Sequence, residues 1–383
     1  MSVKFGIVNI DWAAEIFEKI KTKLKAECSR LGDAIPFIPE DGRYHDVAAG
    51  EGIFTWTNGF WAGMLWQMYH ASGDDVFRKT AEASEKRLDS ALEGFGGLHH
   101  DLGFMWLHTA VADYRLTGNP DSKRHGLHAA NLLAGRYNPA GRFIRAWNEW
   151  DGDPHTGWII IDCMMNIPLL YWASNETGDP RFKMVAVDHA NTTTDILVRP
   201  DGSCNHIAIL SPETGECLEL PGGQGYASGS SWSRGQAWGL YGFALSYLHT
   251  GEKKYLDTAK RIAHYVTANF ANNDWLPLVD FRAPEEPVKY DSTAAMIGAC
   301  GLLEIAAQCG EYESALYAQT AVKTLMSCEK NFADWNTETD GIMGKGTCEY
   351  HGGPEDTEVP IIFGDYFFTE AVLRILGKYF MIW

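Results

Sequence analysis

The stretch GWIIIDCMMNIPLLYWA, residues 157–173, is apolar apart from Asp162 and Asn166. A carboxylate in a segment that reads as buried core is costly unless it is paired, and burial pushes its pKa upward. Asp162 is therefore either satisfied by a distant partner or kept as an acid for chemistry. A second carboxylate, Asp101, stands in HHDLGF (99–104), just ahead of another apolar helical run. Taken alone, Asp101 reads equally as a helix N-cap. Two carboxylates at matching ends of successive helices could face each other across a cavity. A close pair holds one proton near neutral pH, which is a general acid/base arrangement.

A third constellation is GSSWSRGQAWG (229–239). Arg234 can grip a carboxylate bidentately, and the flanking Trp232 and Trp238 can stack on a sugar face. The competing reading is an arginine packed between indoles for structure alone. His206 and Gln224 lie in the preceding segment and carry little weight by themselves. No metal site is expected. There is no HExxH, EF-hand loop or Cys/His cluster, and the adjacent His99 and His100 do not share a helix face. No GxGxxG follows a strand and no P-loop or GxSxG elbow occurs, so no cofactor is expected.

The elements that must position these residues are helices. Apolar residues recur at spacings of three and four, and strand-like runs are confined to SCNHIAIL (203–210) and WLPLVDF (275–281). A weak repeat emerges, in which an apolar helix ends in a Gly-containing turn and a more polar helix follows. The turns are SGD (72–74), TGN (117–119), TGD (177–179), TGE (250–252) and CGE (309–311). Glycine fits the left-handed residue after a helix, and the polar residue behind it fits the next helix start. Five pairs, plus terminal helices near 11–30 and 365–377, predict an all-α (α/α)6 barrel with short loop hairpins. The alternative is an open α-solenoid. The inner helices are bulky and apolar around much of their circumference, which favours enclosure. One catalytic domain over 1–383 is expected. The chemistry-bearing loops TWTNGFW (55–61), HHDLGF, RAWNEWDGDPHTGW (145–158), GGQGYASGSSWSRGQAW (222–238) and VKYDSTAA (288–295) all lead into inner helices. They converge on one end of such a barrel.

A net charge of −18 argues against broad nucleic-acid or anionic-membrane surfaces. No run of about 18 apolar residues is present to span a membrane, and the amphipathic N-terminus MSVKFGIVNIDWAAEIFEKIK lacks the pattern of a signal peptide. The eight cysteines are scattered without a CxxC pair, so they read as free thiols in a reducing cytoplasm. Aromatics reach 13%, enough either to line a sugar cleft or to build a large core.

Taken together, WTNGFWAGMLW, HHDLGF, IIIDCMMNIPLL, SGSSWSRGQAWGLYGFAL, DSTAAMIGACGLLEIA and GDYFFTEAVLRIL resemble the unsaturated glucuronyl hydrolases of glycoside hydrolase family 88. The resemblance runs in order from about residue 50 to the C-terminus. It implies an (α/α)6 barrel that hydrates the C4=C5 vinyl ether of a 4,5-unsaturated uronic acid, instead of attacking the anomeric carbon. Its substrate is then an unsaturated uronyl oligosaccharide, taken by a monomer or homodimer. Asp162 falls on the residue that protonates C4 and activates water, and Asp101 on the second essential carboxylate. His100, His206, Gln224, Trp232, Arg234 and Trp238 fall on substrate-contacting positions, and Trp56, Phe60 and Trp147 on aromatic positions lining the pocket. The chain departs from the family pattern at Asn58, at Gly223 and in the loop GKGTCEYHGG (344–353). There Lys345, Thr347, Cys348 and Glu349 stand where some members carry residues suited to a sulfated sugar. Alternatives in the same fold are an unsaturated rhamnogalacturonyl hydrolase, a sugar 2-epimerase and a non-catalytic sugar-binding barrel.

Overall fold

The computed structural model describes residues 10–383. The first nine residues of the amphipathic N-terminal segment lie outside the described residues. Helices α1 (Ile10–Leu31), α2 (Phe60–Ser72), α3 (Asp75–Leu88), α4 (Leu102–Trp106), α5 (Ala112–Thr117), α6 (Pro120–Ala134), α7 (Pro168–Thr177), α8 (Pro180–Leu197), α9 (Ser233–Thr250), α10 (Lys253–Asn272), α11 (Ser292–Gln308), α12 (Glu311–Phe332) and α13 (Ile362–Leu376) follow in order. A π-helical turn, Leu107–Val111, joins α4 to α5, so the two act as one inner helix.

The inner ring closes as α2, α4–α5, α7, α9, α11 and α13, with α13 packed back onto α2. α9, α11 and α13 are buried around nearly their whole circumference. The outer helices bury one stripe each. In α10 that stripe is Tyr255, Leu256, Ala259, Ile262, Ala263, Val266 and Phe270, spaced for one helix face. α1 packs on α13 and completes the sixth pair from the two ends of the chain. This is the expected (α/α)6 barrel.

Four of the five turns carry the expected left-handed glycine, and three of them the expected cap. Gly73, Gly118, Gly178 and Gly251 are left-handed, and Asp74, Asn119 and Asp179 cap the following helices. The fifth differs. Gly310 has φ −67 and α11 ends in extended backbone at Cys309, so that glycine supplies no left-handed residue.

Of the two expected strands, only the first forms. β4 (Ile207–Leu210) pairs antiparallel with β3 (Trp158–Ile160) and with β5 (Cys217–Glu219); a separate two-stranded ribbon joins β1 (Tyr137–Asn138) to β2 (Phe143–Ile144). Residues 275–281 make only single bridges, Leu278 to Tyr290 and Asp280 to Trp232. From the sequence, the Asp162 helix is expected to start near Trp158, with Asp162 inside its first turns; the structure differs. Trp158–Ile160 is strand, Ile161–Met165 is a 3₁₀ turn, and α7 begins at Pro168. The β-branched run Ile159–Ile161 favours extended backbone, and proline suits the first helical position. Asp162 thus sits on a tight turn between strand and helix.

Candidate active site

The register of β3 against β4 sets the first contact. Ile160 pairs with Ile207, and the Ile161 N–H donates to the His206 carbonyl at 3.0 Å. His206 Nε2 then lies 3.5 Å from Asp162 Oδ2, at the outer edge of hydrogen bonding. The imidazole orientation is set from behind, because the Gln224 N–H donates to Nδ1 at 3.0 Å. With Nδ1 accepting, the neutral ring carries its proton on Nε2, towards Asp162. Gly223 permits this approach. It has φ +59, and a Cβ there would stand 2.1 Å from His206 Nδ1. Glycine at this position therefore has a steric reason.

Asp101 occupies the N-cap position of α4 but makes no capping bond. Its Oδ1 accepts instead from Asn166 Nδ2 at 2.8 Å. The same amide nitrogen lies 3.4 Å from the Asp162 carbonyl oxygen, while Asn166 Oδ1 accepts from the Phe104 N–H at 2.8 Å. Asn166 is fully buried and joins the two catalytic candidates and the first turn of α4. Gly103 allows the crossing, since a Cβ there would meet the Asn166 backbone at 2.4 Å.

Burial by itself would raise the Asp101 carboxyl. His100, His99 and the Asn166 amide overcome it and hold the group below the usual carboxylate range. Burial lowers His100 to about 4, so at neutral pH its ring is uncharged and it acts on Asp101 as a dipole. The Asn166 amide, aligned at 2.8 Å, is the hydrogen bond to the carboxylate that persists with that ring neutral. His99 Nδ1 lies 3.0 Å and His100 Nε2 3.4 Å from Asp101 Oδ2, both off hydrogen-bond alignment. The ligand atoms of His99, His100 and Asp101 all fall within 4.8 Å of one another. This corrects the expectation that the adjacent histidines cannot converge: they lie in a turn, where helix-face geometry does not apply.

The carboxylate clamp expected at Arg234 takes a different form. The guanidinium is 1% exposed and pairs with buried Asp291 at 3.0 Å. It also donates to the Thr347 carbonyl at 2.6 Å and to the Cys348 carbonyl. Its plane lies over Trp232 at 4.5 Å and Phe363 at 5.2 Å, so the second flanking ring is Phe363 and not Trp238. Asp291 further accepts from the Thr293 and Thr347 N–H groups. Arg234 thus anchors the 344–353 loop to the start of α11. Gln224 does similar work, donating Nε2 to the Cys348 carbonyl at 2.8 Å.

The aromatic positions divide. Trp56 is half-buried and packs on Phe104 at 5.3 Å and Phe363 at 5.0 Å. Phe60 and Trp238 are fully buried, so they back this layer and do not line an open pocket. Trp232 is buried against His206, with ring centres 4.4 Å apart. Trp147 belongs to a separate small cluster with Ala146, Trp158, Ile160 and Ile207. Asn58 is buried and donates to the Gly52 and Ile53 carbonyls. Lys345 is paired with Glu358, and Glu349 is exposed, so the acidic group does not point inward.

Asn166, Asp291, Phe363 and His99 have partners here that residue type and spacing do not reveal. A lone amide inside an apolar run was a usable signal for Asn166, and the DST start of α11 for Asp291. Nothing in its neighbourhood distinguishes Phe363 from core.

Comparison with known proteins fits this geometry. The model of Glycosyl Hydrolase Family 88 matches residues 33–352. The chain belongs to glycoside hydrolase family 88. Among relatives in the family, an unsaturated glucuronyl hydrolase of Bacillus sp. (strain GL1) is 39% identical over 354 residues, spanning 90% of this chain and 92% of the relative. An unsaturated chondroitin disaccharide hydrolase of Streptococcus pyogenes serotype M1 is 33% identical, over 86% of this chain and 83% of that one. The crystal structure of the Bacillus sp. GL1 unsaturated glucuronyl hydrolase, described as responsible for glycosaminoglycan degradation, superposes with a TM-score of 0.88 at 34% identity. It covers 94% of this chain and 96% of that one. The family assignment accounts for the barrel and for a glycoside hydrolase activity. Among the described residues no helix is long and apolar enough to cross a membrane.

Proposed function

We propose that this glycoside hydrolase releases a 4,5-unsaturated uronic acid from the non-reducing end of lyase-generated oligosaccharides, with Asp162 as general acid/base. Asp162 delivers a proton to C4 of the vinyl ether, and water adds at C5 as the same carboxylate takes up its proton. The resulting hemiketal opens and expels the remaining sugar. The bonds formed are C4–H and C5–O, so the anomeric carbon is not attacked, and carboxylate separation does not predict retention or inversion.

The observation that carries this assignment is the division of roles between the two carboxylates. Asp101 is buried, held as the anion and tied down by Asn166, which suits stabilising positive charge on the ring. Asp162 is the more accessible group, and its Oδ2, 3.5 Å from His206 Nε2, has no hydrogen-bond partner of its own. Trp56 and Trp147 offer stacking surface to the substrate. Arg234 and Gln224 act by positioning the 344–353 loop.

Lys345, the cation of that loop, is neutralised by Glu358, which supports a preference for an unsulfated leaving sugar. The eight cysteines are free thiols, which supports a reducing cytoplasmic setting. One domain, 1–383, acting as a monomer or homodimer, is the arrangement we propose. The test is loss of the ultraviolet absorbance of the unsaturated uronate across disaccharides from hyaluronan, chondroitin, heparin, gellan and pectin. Turnover of an unsulfated glucuronyl substrate is expected. Turnover confined to the pectin-derived rhamnogalacturonyl disaccharide would assign the sister activity instead.

A further inference from the structure

The loop between β2 and β3 carries an indole that the site described above does not use. Trp150 is 68% exposed, yet its setting is ordered. Trp150 and Asp153 exchange both backbone hydrogen bonds at 3.0 Å around Asp151-Gly152, whose φ values of 52 and 76 make a tight hairpin turn. The Gly152 N–H donates to Glu149, and the His155 N–H to Asp153. One face of the indole lies on His155, 5% exposed, with planes 18° apart and centres 6.0 Å apart. Trp147 meets it edge-on at 90°. Most of the remaining ring surface is open to solvent. An indole backed by a second ring and exposed elsewhere offers a flat apolar surface on which a sugar can stack.

Its place relative to the chemistry follows from the backbone. The Ala146 carbonyl accepts from the N–H of His100, next to Asp101, and Ala146 N–H donates to Trp158, four residues before Asp162. Asn148 donates to the Gly96 and Leu98 carbonyls, so this strip runs along the HHD segment. The backbone entering Trp147 therefore runs beside the HHD segment, and the more exposed Trp150 ring lies 6.5 Å from the Trp147 ring, centre to centre. The tip is acidic, with Glu149, Asp151 and Asp153 around the indole. Sulfate or carboxylate on a sugar there would be repelled.

We propose that Trp150 is a stacking platform for an uncharged sugar on the leaving-group side, one residue beyond the sugar attached to the unsaturated uronate. This rests on the hydrolase reading above and adds to it an outer contact for the oligosaccharide. The exposed indole surface meets the C–H face of a pyranose, and its rigidity limits the ordering cost of binding.

The test compares an unsaturated tetrasaccharide whose outer sugars are neutral with the matching disaccharide, on wild type, Trp150→Ala and Trp150→Phe. Trp150→Ala is expected to raise KM for the tetrasaccharide about tenfold relative to its effect on the disaccharide, with kcat held. Trp150→Phe, which keeps an aromatic face, is expected to recover most of that difference. An equal effect on both substrates, or no recovery by phenylalanine, overturns the platform while leaving the hydrolase assignment standing. Wild-type turnover of neither substrate overturns both.

Discussion

Asn166 Nδ2 lies 2.8 Å from Asp101 Oδ1 and 3.4 Å from the Asp162 carbonyl oxygen, so one buried amide spans the two carboxylate-bearing segments. Its carbonyl end is equally committed, accepting from the first turn of α4 at Phe104. Replacement by aspartate keeps that acceptor but sets a second carboxylate against Asp101, which raises Asp101's pKa. Asn166→Asp is expected to lower kcat about 100-fold and to move the acidic limb of the pH–rate profile upward. A lower rate with an unmoved limb would reduce Asn166 to a structural role.

Asp162→Asn keeps the shape of the side chain and removes its proton chemistry. A fall in kcat of about 10³-fold is expected, with KM little changed and the circular dichroism spectrum intact. Wild-type turnover by this variant would remove Asp162 from the acid/base role.

Arg234 and Asp291 form a buried ion pair, with side chains 2% and 0% exposed. Removing one member leaves an uncompensated buried charge, which costs about 3–5 kcal/mol. Arg234→Ala is therefore expected to lower the free energy of unfolding by about that amount, read from urea denaturation. The double replacement Arg234→Met/Asp291→Leu should lose less than either single change. A single variant of full stability with only KM altered would restore the substrate-clamp reading.

Stability should peak near pH 6. His100 and His249 are lowered to about 4, and His108 and His189 to about 3, all by burial first. These rings stay neutral in the fold but bind protons in the unfolded chain below about pH 6.5, so stability falls as pH drops from there. On the other side, burial raises Glu27 to about 8 and Glu85 to about 9, and Asp365 to about 6. These groups hold protons in the fold that the unfolded chain releases, so stability also falls as pH rises towards 9. Urea midpoints at about pH 5, 6 and 8.5 check both arms; a midpoint that rises steadily across the range contradicts this account.

Local patterning carried much of this protein. The three-and-four spacing of apolar residues, together with Gly73, Gly118, Gly178 and Gly251 at helix ends, needs only neighbours in the chain to be read. So do the Asp and Asn caps behind three of those turns, and the (α/α)6 barrel follows from their number. Asp162 was visible because a carboxylate in an apolar run is an energetic exception wherever it occurs. What the chain could not reveal is which distant groups meet. Asp101 turned from its cap position to an amide 65 residues away, and Arg234 spent its charge on Asp291 and on loop carbonyls more than 100 residues downstream. Phe60 and Trp238 dropped behind the pocket wall, while Phe363 came forward over Arg234. Residue type and spacing decide what a side chain is able to do. Packing decides which partner consumes that capacity first, because a buried charge takes the nearest compensating group whatever its position in the chain.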